Sequence, residues 1–278
     1  MDRVSPRTLS GFMELPPEKQ ALMEKMLETL RHTYALYGFA PLDTPAIEAA
    51  RVLLAKGGGE TEKQIYRFSK GDSDLALRFD LTVPLAKFVA ANYSRLNFPF
   101  RRYQVGKVWR GERAQRGRFR EFYQADIDII GDGSLSVVNE AEIPAVIYHT
   151  FTALGLERFT IRINNRKVLN GFFEITGLGQ KSGDIMHAVD KIDKIGAGEV
   201  RQILVEDCGL DEARADKVIR FIGFKGGIQA TLAFLAQYKD RSAVFDEGLE
   251  ELGTVISLLP SLGVPDDQAI SQEDAERI

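Results

Sequence analysis

The sequence has little of what redox and metal chemistry require. A single cysteine, Cys208, stands in 278 residues. That excludes an intramolecular disulfide framework and a cysteine-rich zinc site. The three histidines, His32, His149 and His187, are far apart in the chain and argue against a histidine-held metal; no metal-binding residues are assigned. Long apolar runs are also missing. None approaches the roughly 20 residues that a membrane-spanning helix needs. The first thirty residues, "MDRVSPRTLSGFMELPPEKQALMEKMLETL", lack the apolar centre of a secretory signal. The expectation is a cytoplasmic protein with no membrane partner. Hydrophobic content of 44% and charged content of 27% are those of an ordinary globular chain.

The net charge of −4 hides an asymmetry. Residues 101–120 carry eight Arg or Lys against one acid, Glu112. Five of these arginines fall between Arg110 and Arg120. Such runs are ordinarily solvated faces. Here the run sits inside "WRGERAQRGRFREFYQADIDII", residues 109–130, which reads as two strands, 101–110 and 119–130, joined by the loop "GERAQRGR". Side chains alternate faces along a strand. Arg120, Phe122, Gln124, Asp126 and Asp128 therefore share one side, and Tyr123, Ala125, Ile127 and Ile129 the other. The second side is read as the core face. A hairpin brings Arg110, Arg118 and Arg120 together, and their mutual repulsion calls for an anion. Guanidinium forks match phosphate oxygens. Gln124 and Asp128, further along the same side, suit a small ligand with an amine or a ring N–H. A triphosphate beside such a ligand and an RNA backbone both satisfy the arginines. The Gln/Asp side fits a polyanion poorly and favours the small-molecule pocket.

Elsewhere, "PPEKQALMEKMLETLRHTYALYGF" predicts a helix with Pro17 in its first turn and Gly38 at its stop. "FAPLDTPAIE" reads as extended, and "QIYRF" and "LALRFD" as a hairpin around "SKGDSD". "TVPLAKFVAANY" and "VVNEAEIPAVIYHTFTAL" predict helices, the second disturbed at Pro144, and "RFTIRIN" (158–164) predicts a strand. Beyond residue 165 the pattern becomes helical, in "DIMHAVDKI", "EVRQILVEDC", "DEARADKVIRFIGF", "IQATLAFLAQY" and "FDEGLEELGTVISLL". The expected architecture is α+β: a mostly antiparallel sheet flanked by helices over residues 1–165, a small helical domain over 166–265, and a polar tail over 266–278. "GGGE" at 57–60 lacks the Gly-Lys-Ser/Thr ending of a phosphate-binding loop and reads as a flexible loop.

"VWRGERAQRGRFREFYQADIDIIG" resembles motif 2 of the class II aminoacyl-tRNA synthetases, in its histidyl-tRNA synthetase form. "LDTPAIE" resembles the end of motif 1, "LRFDLTVPLAKFVA" the segment that receives the amino acid, and "INNRKVLNGFFEITG" with "VDKIDKIG" the passage into a helical insertion. The resemblance implies activation of histidine with ATP and Mg²⁺ to histidyl-adenylate, and transfer to tRNA(His), by a homodimer with Pro45 at its interface. It implies that Arg110 grips the α-phosphate, Glu112 reads the adenine amino group, Arg118 meets the terminal phosphate and Phe122 packs on adenine. Asp80, Thr82 and Gln124 would hold the histidine amino group, and Asp128 would face the imidazole. Arg110 and Gln124 are the catalytic candidates. The family's Arg-Gly-Leu-Asp-Tyr-Tyr segment, motif 3 and anticodon-binding domain are not in this sequence, so an impaired N-terminal portion is expected. A histidine-sensing, synthetase-like regulatory subunit of ATP phosphoribosyltransferase is the alternative. Arg110, Glu112 and Arg118 favour the synthetase, because a histidine sensor has no need to hold ATP. A generic RNA-binding domain using the basic hairpin is the third reading. The bland readings stand beside these: Pro45 as a turn residue, Asp80 or Thr82 as a helix cap, Phe122 as core packing.

Overall fold

Helix α1, Pro17–Leu36, begins where the proline expects it, and the chain leaves it through Gly38 at φ +75°. A computed structural model describes residues 5–55 and 60–265. After α1 come two short strands, β1 (Ala40–Pro41) and β2 (Ile47–Ala49), then short helices α2 (Ala50–Leu53) and α3 (Glu60–Gln64). The predicted hairpin forms as β3 (Arg67–Lys70) and β4 (Ser73–Leu77), with Arg67 and Asp74 joined across it. Helix α4 (Thr82–Asn92) and the two long strands β5 (Phe100–Trp109) and β6 (Glu121–Ile130) follow. Two three-stranded sheets result. One has the order β1-β5-β6, with β1 parallel to β5, and the other is the antiparallel β2-β4-β3. A backbone bond from Trp109 N–H to the Arg78 carbonyl (3.0 Å) ties them.

Helix α5 (Val138–Ala153) forms through Pro144. The expected strand at 158–164 does not form: no described strand pairs with it. Its alternation is real, but an extended segment becomes a strand only when a neighbour takes its N–H and C=O groups. The helical region comprises α6 (Arg166–Ile175), α7 (Ser182–Val189), α8 (Ile192–Glu206), α9 (Glu212–Ile222), α10 (Ile228–Ala236) and α11 (Ala243–Leu258). Of these, α6 had no separate expectation from periodicity. Caps explain several starts. Asn165 accepts from Lys167 N–H, Asp211 from Arg214 N–H, and Ser242 from Phe245 N–H. None of the described helices is long and apolar enough to cross a membrane. The glycine run at 57–59 and the tail at 266–278 lie outside the described residues.

Two compact units emerge: residues 1–135 with 149–156, and 136–148 with the residues from 157 onward. The second, helical unit has an apolar core around Phe172, Phe173, Ile185, Leu204, Val218 and Phe245. Phe172 stacks on Phe221 at 3.8 Å, and Tyr238 meets both edge-on. Helices α6 and α11 approach through glycines. A Cβ on Gly171 would stand 2.4 Å from Phe245 N, and one on Gly248 would stand 2.6 Å from Val168 N.

The sheet unit corrects one expectation. On β5 the fully buried side chains are Arg102, Gln104 and Val108, opposite Asp128, Asp126 and Phe122. The polar side of β6 thus shares the buried face, and the side read as core leaves Tyr123 and Ala125 exposed. Pattern alone identifies which residues share a face. It cannot identify the covered face when the partner strand supplies buried polar side chains.

The glycine contacts make α11 a testable element. Gly248→Ala should lower stability by about 1–3 kcal/mol through overpacking. Gly253→Ala, with nothing near its added Cβ, should hold or raise stability by up to about 1 kcal/mol. Urea unfolding reads both. Equal midpoints for the two variants would refute the close approach of α6 and α11.

Candidate functional site

The site is built on the β5–β6 hairpin and on the segment that leads from β4 into α4. The hairpin extends past its strands: Arg110 N–H bonds the Arg120 carbonyl at 2.9 Å. Arg110 is held on every side by its neighbours. Its guanidinium lies 4.6 Å over the Phe79 ring and 5.1 Å over the Phe122 ring. Its Nε donates to the Phe79 carbonyl (3.2 Å) and its Nη2 to Gln124 Oε1 (3.1 Å). Gln124 Nε2 in turn donates to both Asp126 oxygens, at 3.0 and 3.1 Å. Arg110, Phe122 and Gln124, each assigned a role from the resemblance, therefore meet. Phe79 and Asp126 join them without having been assigned a role. The signal for Asp126 was its parity with Gln124.

The neighbouring arginines do not wait unpaired for an anion. Arg118 Nη1 lies 3.1 Å from Glu112 Oε2. Arg120 Nε donates to the Glu112 carbonyl (3.0 Å) and its Nη1 to the Ser10 carbonyl (3.3 Å), while its own N–H bonds the Gly11 carbonyl. Arg120 thus pins residues 10–11 to the hairpin. The repulsion expected among Arg110, Arg118 and Arg120 is relieved locally, each by different acceptors.

The amino-acid side is reached from the 78–82 segment. Asp80 Oδ1 accepts from the N–H groups of Thr82 (3.0 Å) and Val83 (2.9 Å), so it caps α4. Arg78 is buried. Its Nε donates to the Lys107 carbonyl (2.8 Å) and its Nη1 to the Thr44 carbonyl (2.5 Å). The room for it is Gly106, where a Cβ would come within 2.5 Å of Arg78 Nη2. Gln104 donates to Asp43 Oδ1 (2.9 Å) and Thr44 Oγ1 (3.1 Å). These contacts anchor the loop just before Pro45, which is itself exposed, as is Ile47. Asp128 is met by Arg102 Nη2 at 2.6 Å. The Asp128 carboxyl lies above its ordinary range: burial pushes it up, Arg102 offsets that only in part, and Asp126 pushes it up further. Sequence reasoning missed Arg78, Arg102 and Gln104. The signal available was the register of the hairpin, which sets Arg102 opposite Asp128 and Gln104 opposite Asp126. No group of three or more His, Cys, Asp or Glu residues able to hold a metal occurs among the described residues.

A mostly antiparallel sheet with flanking helices, an arginine-bearing hairpin and a helical unit after it define an α+β fold of the class II aminoacyl-tRNA synthetase type. The chain belongs to the histidyl-tRNA synthetase family, whose model matches residues 11–271. Among curated relatives, a histidine–tRNA ligase of Clostridium tetani is 57% identical over 265 residues, covering 95% of this chain and 60% of that protein. One from Xanthomonas campestris pv. campestris is 45% identical over 288 residues, with the same coverage. The crystal structure of histidyl-tRNA synthetase from Nostoc sp. PCC 7120 matches with a TM-score of 0.87 at 38% identity, over 96% of this chain and 61% of that one. A structure described as an ATP phosphoribosyltransferase regulatory subunit/histidyl-tRNA synthetase from Bacillus halodurans C matches with a TM-score of 0.81 at 19% identity, over 96% of this chain and 68% of that one, a likeness of fold alone. The chain spans about 60% of the length of the curated relatives it matches.

The cap at Asp80 separates structure from ligand contact. Asp80→Ala should cost about 0.5–2 kcal/mol of stability, whereas Asp80→Asn, which keeps an acceptor oxygen, should cost only a few tenths. Thermal unfolding of the two variants checks this. An equal loss in both would mean that the charge, not the cap, holds the start of α4.

Proposed function

We propose that this chain is the activation portion of a histidine–tRNA ligase. In that reaction a carboxylate oxygen of histidine attacks the α-phosphorus of ATP, pyrophosphate leaves, and histidyl-adenylate forms. The terminal ribose of tRNA(His) then takes the histidyl group and AMP departs. Mg²⁺ enters with ATP as part of the substrate. The setting is the cytoplasm, where tRNA is charged.

The observation that carries the reading is the fixed guanidinium of Arg110. Two aromatic rings, a carbonyl and an amide oxygen hold it. A cation that is already placed stabilises charge developing on a phosphoryl oxygen without reorganising during the reaction. In this reading Arg110 meets the α-phosphate, Arg118 the terminal phosphate and Glu112 the adenine amino group, with Phe122 packing on adenine. Asp80, Thr82 and Gln124 surround the ammonium group, and Asp128 accepts the ring N–H. The amide oxygen of Gln124 is shared with Arg110, so one side chain would link the nucleotide and amino-acid halves. A site that hydrogen-bonds a ring N–H rejects side chains lacking it, because its own buried acceptor would go unpaired.

The regulatory-subunit reading retains histidine binding and dispenses with ATP. Arg110, Glu112 and Arg118 favour the ligase. Histidine-dependent pyrophosphate exchange by the full-length protein separates the two, since a sensor would bind histidine and give no exchange. For the chain itself, Arg110→Ala should weaken ATP binding about 10- to 150-fold, the loss of one charge-assisted contact. Calorimetry measures it, and unchanged affinity would remove Arg110 from the phosphate site.

We further infer a homodimer through the segment around Pro45. There Pro45 and Ile47 are exposed beside a loop anchored by Arg78 and Gln104. Sedimentation at several concentrations should give twice the chain mass. A species of single-chain mass at high concentration would defeat the dimer.

A further inference from the structure

Arg102 is the largest fully buried side chain in the described protein. It lies on the same face of the sheet as Gln124, Asp126 and Asp128, directly opposite Asp128 in the strand register. Its Nη2 stands 2.6 Å from Asp128 Oδ2 and 3.5 Å from the carbonyl of Leu81. Among the described residues Nε and Nη1 find no hydrogen-bond partner, and the close approach to Oδ2 lacks the angle of a hydrogen bond. The contact is an ion pair held by proximity, without the bidentate fork that arginine and carboxylate usually make.

Such an arrangement is poor for stability. A well-packed apolar side chain in the same place is commonly as stable or more so than a buried ion pair. The charge must therefore do something that an apolar residue could not. Its effect falls on Asp128, which is two-sided: Arg102 is closed off from solvent, while 30% of the Asp128 side chain is open. Of the charged groups acting on Asp128, Asp126 on the same strand opposes its ionisation, and so does burial; Arg102 on β5 alone favours it. The second neighbour of Arg102 is informative too. Leu81 sits between Asp80 and Thr82, the residues read as the amine-binding side.

We propose that Arg102 is a positioning residue for ring recognition: its guanidinium holds the Asp128 carboxyl in place from the closed side, so that the open side accepts the imidazole N–H of a bound histidine. The inference rests on the reading of Asp128 as the ring acceptor. It adds the residue that fixes the Asp128 carboxyl from its closed side. Through Leu81 the same side chain spaces the ring acceptor from the start of α4.

The test uses the chain with Arg102→Met, Arg102→Gln and Arg102→Lys, and three ligands: histidine, β-(2-thienyl)alanine, whose ring has no N–H, and ATP. Calorimetry should show histidine binding weakened about 10- to 150-fold by the neutral variants, the scale of one charge-assisted hydrogen bond. ATP binding should stay within about twofold. The preference for histidine over the thienyl analogue should shrink, and Arg102→Lys should restore most of it. Adding Asp128→Asn to Arg102→Gln should cost little more, because the two changes remove the same interaction. The glutamine variant, which keeps a donor for the Leu81 carbonyl, carries the test if the methionine variant does not fold. Three results overturn the inference: unchanged histidine affinity, equal losses for histidine and ATP, or undiminished ring preference. If histidine binds the unaltered chain and Asp128→Asn leaves its affinity unchanged, or if histidine does not bind at all, the reading of Asp128 fails, and the inference with it.

Discussion

The sheet unit depends on burying two arginines, Arg78 and Arg102, on one face of the β5–β6 hairpin. Removing a cation from water costs several kcal/mol unless its partners are close and well placed. Arg78 meets that demand with two carbonyls, near Asp43, in the room left by Gly106. Arg102 meets it in part, with one carboxylate. The consequence is geometric. A slip of one residue in the β5–β6 pairing would carry Arg102, Gln104 and Gly106 to the other face. The register that sets Arg102 against Asp128 and Gly106 against Gln124 is therefore specified by charge as well as by hydrophobicity. Three otherwise separate pieces depend on it: the 43–44 loop, the 78–82 segment and β6.

Positions near the arginine-rich loop follow from the same logic with different stiffness. Arg110 is fixed by rings and by groups that belong to the sheet. Arg118 is 61% exposed, and its pair with Glu112 is a surface salt bridge, the kind worth about 0–1 kcal/mol. A phosphate could draw Arg118 away from Glu112 at small cost, and Glu112 would then be free to accept from a base amine. Arg110 would have to give up two ring faces and two hydrogen bonds to move. Under the proposed function, such a division, one cation preplaced and one free to close on a ligand, would hold the reacting phosphate more tightly than the departing one.

Much of this was legible in the sequence, and the parts that were not share a cause. The β3–β4 hairpin, helices α1, α4 and α5, and the long hairpin follow from turn residues, prolines and period. That Phe122 and Gln124 share a side follows from parity. The strand at 158–164 was overread because alternation states a preference, whereas pairing requires a partner. The polar side of β6 was not read as covered, yet Asp126 and Asp128 are shielded as much as Ile127 and Ile129. Only the opposing strand, with Arg102 and Gln104, shows why the acidic side is covered too. Arg102, Arg78 and Gln104 were visible as residues, yet nothing in a local pattern says that a charged side chain is buried. That is decided by neighbours from distant parts of the chain.

The two units differ in how they use their interiors. The buried polar side chains of the described residues, Thr33, Thr44, Arg78, Arg102, Gln104 and Thr150, all belong to the sheet unit. The helical unit is built on aromatic stacking around Phe172 and on the glycine contacts of α6 and α11. An apolar core gains stability roughly in proportion to the area removed from water and tolerates exchanges that conserve volume. A polar core gains little net stability, and each unmatched group is costly. What it gains is a unique arrangement. Beside its buried apolar residues, among them Leu53, Ala76, Leu81 and Val108, the sheet unit thus keeps a polar cluster that contributes a fixed arrangement more than stability. The proposed ligand contacts line that cluster.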